Sequence, residues 1–174
     1  MNYFIFGRPR SRTAWTANFL TQHQSFCFHE GLSFYNGSVQ SLKRAMPAIP
    51  KKYVGNADTG MIHYTQEIID TFPDARFVVM TGASLSWNIF AQKHVGSEVY
   101  KAVEEAYADT KERLRHKALF VDVGDLTSDM ETAQRLHDYC NPNSVDPWDL
   151  MRYNMLKDLN IQVRPDRLKE RLGL

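Results

Sequence analysis

Near its start, the chain runs from an apolar segment through a short polar loop into a helix-forming segment. Residues 3–6 are apolar, residues 7–12 read Gly-Arg-Pro-Arg-Ser-Arg, and residues 13–21 favour a helix. A strand that turns through such a loop into a helix directs backbone N–H groups and the positive end of the helix dipole at one point. Three arginines, a serine and a threonine surround that point. The sequence therefore predicts a binding site for a phosphate or sulfate group.

Strand and helix signals alternate along the rest of the chain. Apolar runs predict further strands at residues 24–30, 52–55, 76–81 and 118–123. Helices are predicted at residues 38–46, 64–72, 97–117 and 128–139, with a last one beginning at Asp146 and Pro147. Strands separated by helices imply βαβ crossovers and a mainly parallel sheet covered on both faces. We therefore expect a three-layer α/β/α fold, as one domain over residues 1–174, with ligands at the carboxyl ends of the strands.

Charge, hydropathy and cysteine content exclude several classes of function. The net charge of +1 predicts no nucleic-acid partner, so an anion site has to be local. No segment approaches the roughly 18 apolar residues of a membrane span, which predicts no membrane partner and a cytoplasmic location. Cys27 and Cys140 are too few for a disulfide framework, and no cysteine–histidine cluster has metal-ligand spacing. We therefore predict no metal site.

The loop departs from the Walker A pattern of ATPases and kinases. After Gly7 and four further residues that pattern requires Gly-Lys-Ser/Thr, but this chain has Arg12-Thr13-Ala14. It has no lysine there to reach a γ-phosphate and no hydroxyl after a lysine to hold magnesium. An ordinary kinase is therefore disfavoured, and a nucleotide kinase with a degenerate loop remains as an alternative.

The loop resembles the 5′-phosphosulfate loop of sulfotransferases, which commonly reads Pro-Lys/Arg-Ser-Gly-Thr-Thr followed by an apolar residue. The chain matches this pattern at Pro9, Arg10, Ser11, Thr13 and Trp15. Arg12 stands where glycine is usual, so it must adopt the same backbone conformation or replace the glycine's contact by its guanidinium.

Three later segments resemble the same family in the expected order. Residues 54–60 look like its second strand and loop, residues 72–79 like its Phe-Pro-x-Ala-Lys/Arg-Phe-Ile stretch, and residues 119–126 like its late strand and Glu-Asp-Leu turn. The resemblance implies a P-loop NTPase-like sulfotransferase fold. It also implies transfer of a sulfuryl group from 3′-phosphoadenosine 5′-phosphosulfate to a hydroxyl of a small molecule or carbohydrate, with no metal required.

One element of the family pattern is absent. After its third strand the family has Arg-Asp-Pro and, about eight residues on, a serine, and this arginine and serine grip the 3′-phosphate. The chain reads Thr-Gly-Ala-Ser-Leu-Ser at residues 81–86, which leaves Ser84 and Ser86 as candidate contacts there. Arg8, Arg12 or an arginine of the C-terminal segment could compensate for the missing arginine. A non-catalytic module that binds nucleotide, anion or protein on the same fold is therefore a second alternative.

Sulfuryl transfer needs positioning, charge neutralisation and a base for the acceptor hydroxyl. Arg10 is the candidate for stabilising charge on the transferred group. Glu30 occupies a place similar to the catalytic glutamate of the trehalose sulfotransferase type, and His29 is the second candidate base. Glu30 and Asp58 are predicted to bind the acceptor, and Asp58 could also serve as the base. The equal alternatives are capping or pairing with an arginine for Glu30 and loop capping for Asp58. Contacts with the donor are predicted for Arg8, Pro9, Arg10, Ser11, Arg12, Thr13 and Ala14.

Overall fold

The computed structural model describes residues 1–82 and 84–142, apart from the side chains of residues 84–86. The strands are β1 (Asn2–Phe6), β2 (Ser25–His29), β3 (Tyr53–Asp58), β4 (Arg76–Thr81) and β5 (Ala118–Asp122). The helices are α1 (Thr13–Leu20), α2 (Gly31–Phe34), α3 (Val39–Ala45), α4 (Thr65–Thr71), α5 (Ser84–His94), α6 (Ser97–Leu114), α7 (Asp125–Ser128) and α8 (Met130–Cys140), with 3₁₀ helices at Met46–Ala48 and Gly60–Tyr64. The helix predicted from Asp146 and Pro147 lies outside the described residues.

The strands form one sheet in the order β2-β3-β1-β4-β5, and every neighbouring pair is parallel. This confirms the predicted parallel α/β architecture. Because β1 is central, Phe6 pairs with Asp58 on one side and with Val79 on the other. The loop after β1 therefore leaves the middle of the carboxyl edge, between the ends of β3 and β4.

Both faces of the sheet are covered, as predicted. Tyr3 and Ile5 of β1 belong to a buried cluster with residues of α1 and α8, whereas Phe4 and Phe6 belong to a second cluster with residues of α3, α4, α5 and α6. The alternation follows from the two-residue period of a strand, which points successive side chains to opposite faces. Among the described residues, no helix is long and apolar enough to cross a membrane.

Several helices differ from the sequence prediction, since the short helices α2 and α7 were not predicted and α5 and α8 also depart from it. Helix α5 was not predicted, and its Trp87 is buried with its ring stacked on Tyr100 of α6 at 5.8 Å between centroids. Helix α8 begins later than the predicted residue 128. Its N-cap is Asp129, whose carboxylate accepts the N–H groups of Glu131 and Thr132 at 3.1 and 3.0 Å. Because its carboxylate accepts both N–H groups, Asp129 takes the capping role that the sequence suggested for Ser128.

Candidate active site

The loop between β1 and α1 has an alternating backbone conformation. Arg10 and Arg12 have φ values of 70° and 58°, while Ser11 between them is outside the left-handed region. Alternation of this kind turns successive N–H groups toward one concavity, a geometry that suits an anion. Helix α1 begins at Thr13, so the N–H groups of Thr13 and Ala14, its first two residues, cannot bond to a carbonyl within the helix.

Arg12 adopts the conformation that the family pattern assigns to glycine. It is the N-cap of α1, with φ 58° and ψ 28°. Its side chain is exposed. The chain therefore keeps the left-handed turn and adds a guanidinium at the mouth of the loop.

The conformation of Arg12 predicts a difference in stability between two variants that both lack the guanidinium. We expect Arg12→Gly to be about 1 kcal/mol more stable than Arg12→Ala, because only glycine adopts a left-handed conformation without a Cβ penalty. Urea unfolding of the two variants measures the difference. Equal free energies of unfolding would show that the turn relaxes when the arginine is removed.

Gly7 and Ser11 are packed closely beneath the loop. A Cβ on Gly7 would lie 2.1 Å from Ser11 Oγ and 3.3 Å from Met80 Cβ, so the close approach requires glycine. Ser11 is 1% exposed, and its buried Oγ has no hydrogen-bond partner in the part of the chain that the structure describes. Its N–H donates to the Arg8 carbonyl at 3.1 Å. A buried hydroxyl without a partner is unfavourable, so a ligand oxygen that accepts a hydrogen bond from it would stabilise the loop.

The loop arginines have different partners. Arg8 Nη1 donates to both carboxylate oxygens of Glu104 at 3.1 and 3.2 Å, and its guanidinium lies 4.7 Å from the centroid of the Tyr107 ring. Arg10 is exposed and lies 4.5 Å from the centroid of Phe90 in α5. Arg8 is therefore paired with a carboxylate of α6, whereas Arg10, in the loop itself, has no ion-pair partner among the described residues.

The carboxyl end of β2 meets the start of α1. His29 Nε2 lies 3.4 Å from Thr13 Oγ1 and 3.8 Å from Glu30 Oε1. The structure thus brings together the two candidate bases and a hydroxyl of the anion loop. Glu30 itself has φ 54° and is the N-cap residue of α2, without a hydrogen bond from its side chain to the helix.

Asp58, at the end of β3, is held by backbone groups. Its Oδ2 accepts the Leu32 N–H at 2.9 Å and its Oδ1 accepts the Gly60 N–H at 2.7 Å, and the residue is fully buried. These contacts favour the capping alternative for Asp58. Sequence reasoning missed Asn56, a buried residue whose Oδ1 accepts the Gly31 N–H at 2.9 Å. An asparagine inside a strand was the signal that could have found it.

Burial and a neighbouring charge shift the pKa values of these groups. Burial lowers the pKa of His29 to about 4, so its imidazole is neutral at pH 7. Burial, followed by the negative charge of Asp58, raises the pKa of Glu30. Burial also raises the pKa of Asp58 itself. Near neutral pH the site therefore offers a neutral imidazole and a carboxylate more basic than an ordinary glutamate.

The low pKa of His29 predicts a loss of stability in acid. An unfolded histidine takes up its proton near pH 6.5, but the folded protein does so only near pH 4. Between these values the unfolded state binds more protons, so stability falls as the pH falls, by at most about 3 kcal/mol. Glu30 and Asp58 act in the opposite direction, because their raised pKa values let the folded state bind protons first.

The variant His29→Gln isolates this contribution. We expect its free energy of unfolding to fall less between pH 7 and pH 4.5 than that of the unsubstituted protein, as measured by urea unfolding at each pH. His63→Gln, at an exposed histidine, is the control. The same pH dependence in both variants would contradict the assignment.

The other residues predicted to bind the sulfuryl donor lie in different environments. Ala14 is buried in the first turn of α1 and can offer its backbone N–H, whereas Pro9 is half-buried in the loop and has no N–H to donate. Ser84 and Ser86 belong to α5, but their side chains lie outside the described residues. The structure therefore brings the loop, His29 and Glu30 to one edge of the sheet.

Comparison with known proteins supports the fold. No protein-family model matches the chain, and no curated protein matches it in sequence. Its structure is similar to that of mouse sulfotransferase SULT7A1 complexed with PAP, with a TM-score of 0.58 at 13% identity. The match covers 90% of this chain and 64% of that chain, so this chain spans less than two thirds of the length of its structural relative. The chain has the sulfotransferase α/β fold, as the resemblance implied.

Proposed function

We propose that the chain transfers a sulfuryl group from a 5′-phosphosulfate of adenosine to a hydroxyl of a small molecule or carbohydrate. The resemblance implies 3′-phosphoadenosine 5′-phosphosulfate as the donor. One observation carries the proposal: a turn whose backbone geometry suits an anion, and which carries Arg10, lies beside His29 and Glu30 at the carboxyl edge of this fold. The structural relative's complex with PAP supports an adenosine nucleotide as the ligand.

The residues of the loop fit the 5′ end of such a donor. The alternating backbone at Arg10 and Arg12 and the start of α1 supply N–H groups, whereas the Ser11 N–H donates to the Arg8 carbonyl. The Ser11 hydroxyl, which has no partner among the described residues, is a further candidate donor to the ligand. Arg10 supplies the positive charge that neutralises the sulfuryl group and the oxygen that leaves with the nucleotide.

Glu30 acts as the base in this proposal. The acceptor oxygen attacks sulfur and forms the new S–O bond while its proton passes to the Glu30 carboxylate. The bond from sulfur to the phosphate oxygen breaks, and its electron pair stays on that oxygen, where Arg10 stabilises the charge. The raised pKa of Glu30 suits this role, because a base is most effective when its pKa lies near the working pH.

The proposal is tested by incubating the whole chain with 3′-phosphoadenosine 5′-phosphosulfate or adenosine 5′-phosphosulfate and a panel of sugar and phenol acceptors. We expect nucleotide product to form only with a suitable acceptor, as measured by chromatography. Folded protein that binds nucleotide without turnover would favour the non-catalytic module. Magnesium-dependent phosphotransfer from ATP would favour the degenerate kinase.

A further inference from the structure

The end of β4 lies against a carboxylate at the place where the sulfotransferase pattern has an arginine. Gly82 follows β4 with φ +83°, and a Cβ there would lie 2.1 Å from Asp122 Oδ2 and 2.6 Å from Oδ1. Asp122 ends β5, and its Oδ1 accepts the Gly124 N–H at 2.7 Å. A side chain at position 82 would therefore displace the Asp122 carboxylate and would be strained by the positive φ, so in this protein a negative group lies beside a glycine.

Arg8, a cation of the loop, already forms an ion pair with Glu104. Arg8 is bound to Glu104, and this pair lies against Tyr107, whose hydroxyl donates to the Met80 carbonyl of β4 at 2.7 Å. Lys111 lies on the same ring, 4.8 Å from its centroid, in an exposed position on α6. Arg8 is paired with Glu104, and among the described residues no cation, Lys111 included, forms a salt bridge with Asp122.

The position of the ribose follows from the order of the strands. A nucleotide whose 5′-phosphate lies on the loop after β1 can extend over β3 or over β4. The β3 side, with β2 beyond it, carries the His29–Glu30 pair assigned to the acceptor, which leaves the β4 side for the nucleoside. Neighbouring strands are about 4.8 Å apart, so the ends of β4 and β5 lie within reach of the ribose 3′ position.

We infer that Asp122 selects a nucleotide with free ribose hydroxyls and disfavours a 3′-phosphate. A ribose hydroxyl can donate a hydrogen bond to the carboxylate, whereas a phosphate would place like charges side by side. Acidic residues discriminate between free and phosphorylated ribose in the same way in dinucleotide-binding folds. This inference rests on the proposed function and narrows the donor to adenosine 5′-phosphosulfate.

Isothermal titration of the whole chain with adenosine 5′-monophosphate and adenosine 3′,5′-bisphosphate tests the inference. We expect the monophosphate to bind at least about tenfold more tightly. Asp122→Asn should shift this ratio about tenfold toward the bisphosphate, because it removes the charge and keeps an oxygen for the Gly124 N–H. Asp74→Asn is the matched control, since it makes the same change at an exposed site before the amino end of β4.

Each outcome of the titration is decisive. Equal affinities, or tighter binding of the bisphosphate by the unsubstituted protein, would overturn the inference and leave the proposed function intact. An unchanged ratio in Asp122→Asn would also overturn it. If folded protein binds neither nucleotide at millimolar concentration, the proposed function fails together with the inference.

Discussion

Replacing Arg10 by alanine is expected to lower turnover about 100- to 1,000-fold while the protein stays folded. Arg10 is exposed and carries the charge that the proposal places on the transferred group. Among the described residues the Arg10 guanidinium contacts Phe90, at 4.5 Å, and losing this contact costs roughly 0.5–1 kcal/mol at an exposed site. The left-handed backbone is equally strained with alanine, so the variant isolates the guanidinium.

Initial rates at saturating donor and acceptor, with thermal unfolding of the same samples, measure both effects. Arg44→Ala removes an exposed arginine from α3 and should match the unsubstituted protein in rate. Arg10→Lys should recover part of the activity, because it restores the charge without the planar geometry. If Arg10→Ala stays within a few-fold of the original rate, Arg10 does not stabilise the transferred group.

Replacing Glu30 by glutamine is expected to lower turnover about 100- to 10,000-fold, because the acceptor hydroxyl loses its base. The pH–rate profile gives a second signature. In the unsubstituted protein the rate should fall in acid as Glu30 is protonated, at a pH above that of an ordinary glutamate because its pKa is raised. This acidic limb should disappear from the residual activity of Glu30→Gln.

The variant His29→Asn distinguishes between the two candidate bases, His29 and Glu30. Burial lowers the pKa of His29 to about 4, so a histidine base would place the acidic limb near pH 4. We expect His29→Asn to keep the limb that belongs to Glu30, and Glu67→Gln, on the exposed face of α4, to change nothing. Full activity in Glu30→Gln with loss of activity in His29→Asn would transfer the role of base to His29.

Local signals in the sequence account for the central strands and the loop. The apolar runs of β1 and β4, and the change from strand to helix at Gly7–Thr13, depend on neighbouring residues, so a single sequence reveals them. The left-handed conformation of Arg12 could also be anticipated from the sequence, because Arg12 stands at a position where the loop pattern has a glycine. Helix α5 escaped prediction since its sequence has no clear apolar stripe, and its Trp87 is buried by packing on α6.

Contacts between distant parts of the chain could not be predicted from sequence. Arg8 and Glu104 are 96 positions apart, so the pairing that removes Arg8 from the set of available cations emerges only from the packing of α6. Likewise, Asp122 meets Gly82 because β5 lies beside β4 in the sheet. The sequence showed that an arginine was missing near Gly82, and the structure shows what lies there.

The central claim is that the loop at residues 7–13 holds the 5′-phosphate of an adenosine nucleotide. Its most direct test is a set of ¹H–¹⁵N NMR spectra of the whole chain during titration with adenosine 5′-monophosphate. The claim predicts that the largest amide shifts fall on residues 7–13, with smaller ones at Gly82 and Asp122. Shifts centred at the opposite end of the sheet, around Phe77 and Lys117, or no shifts at millimolar nucleotide, would contradict it.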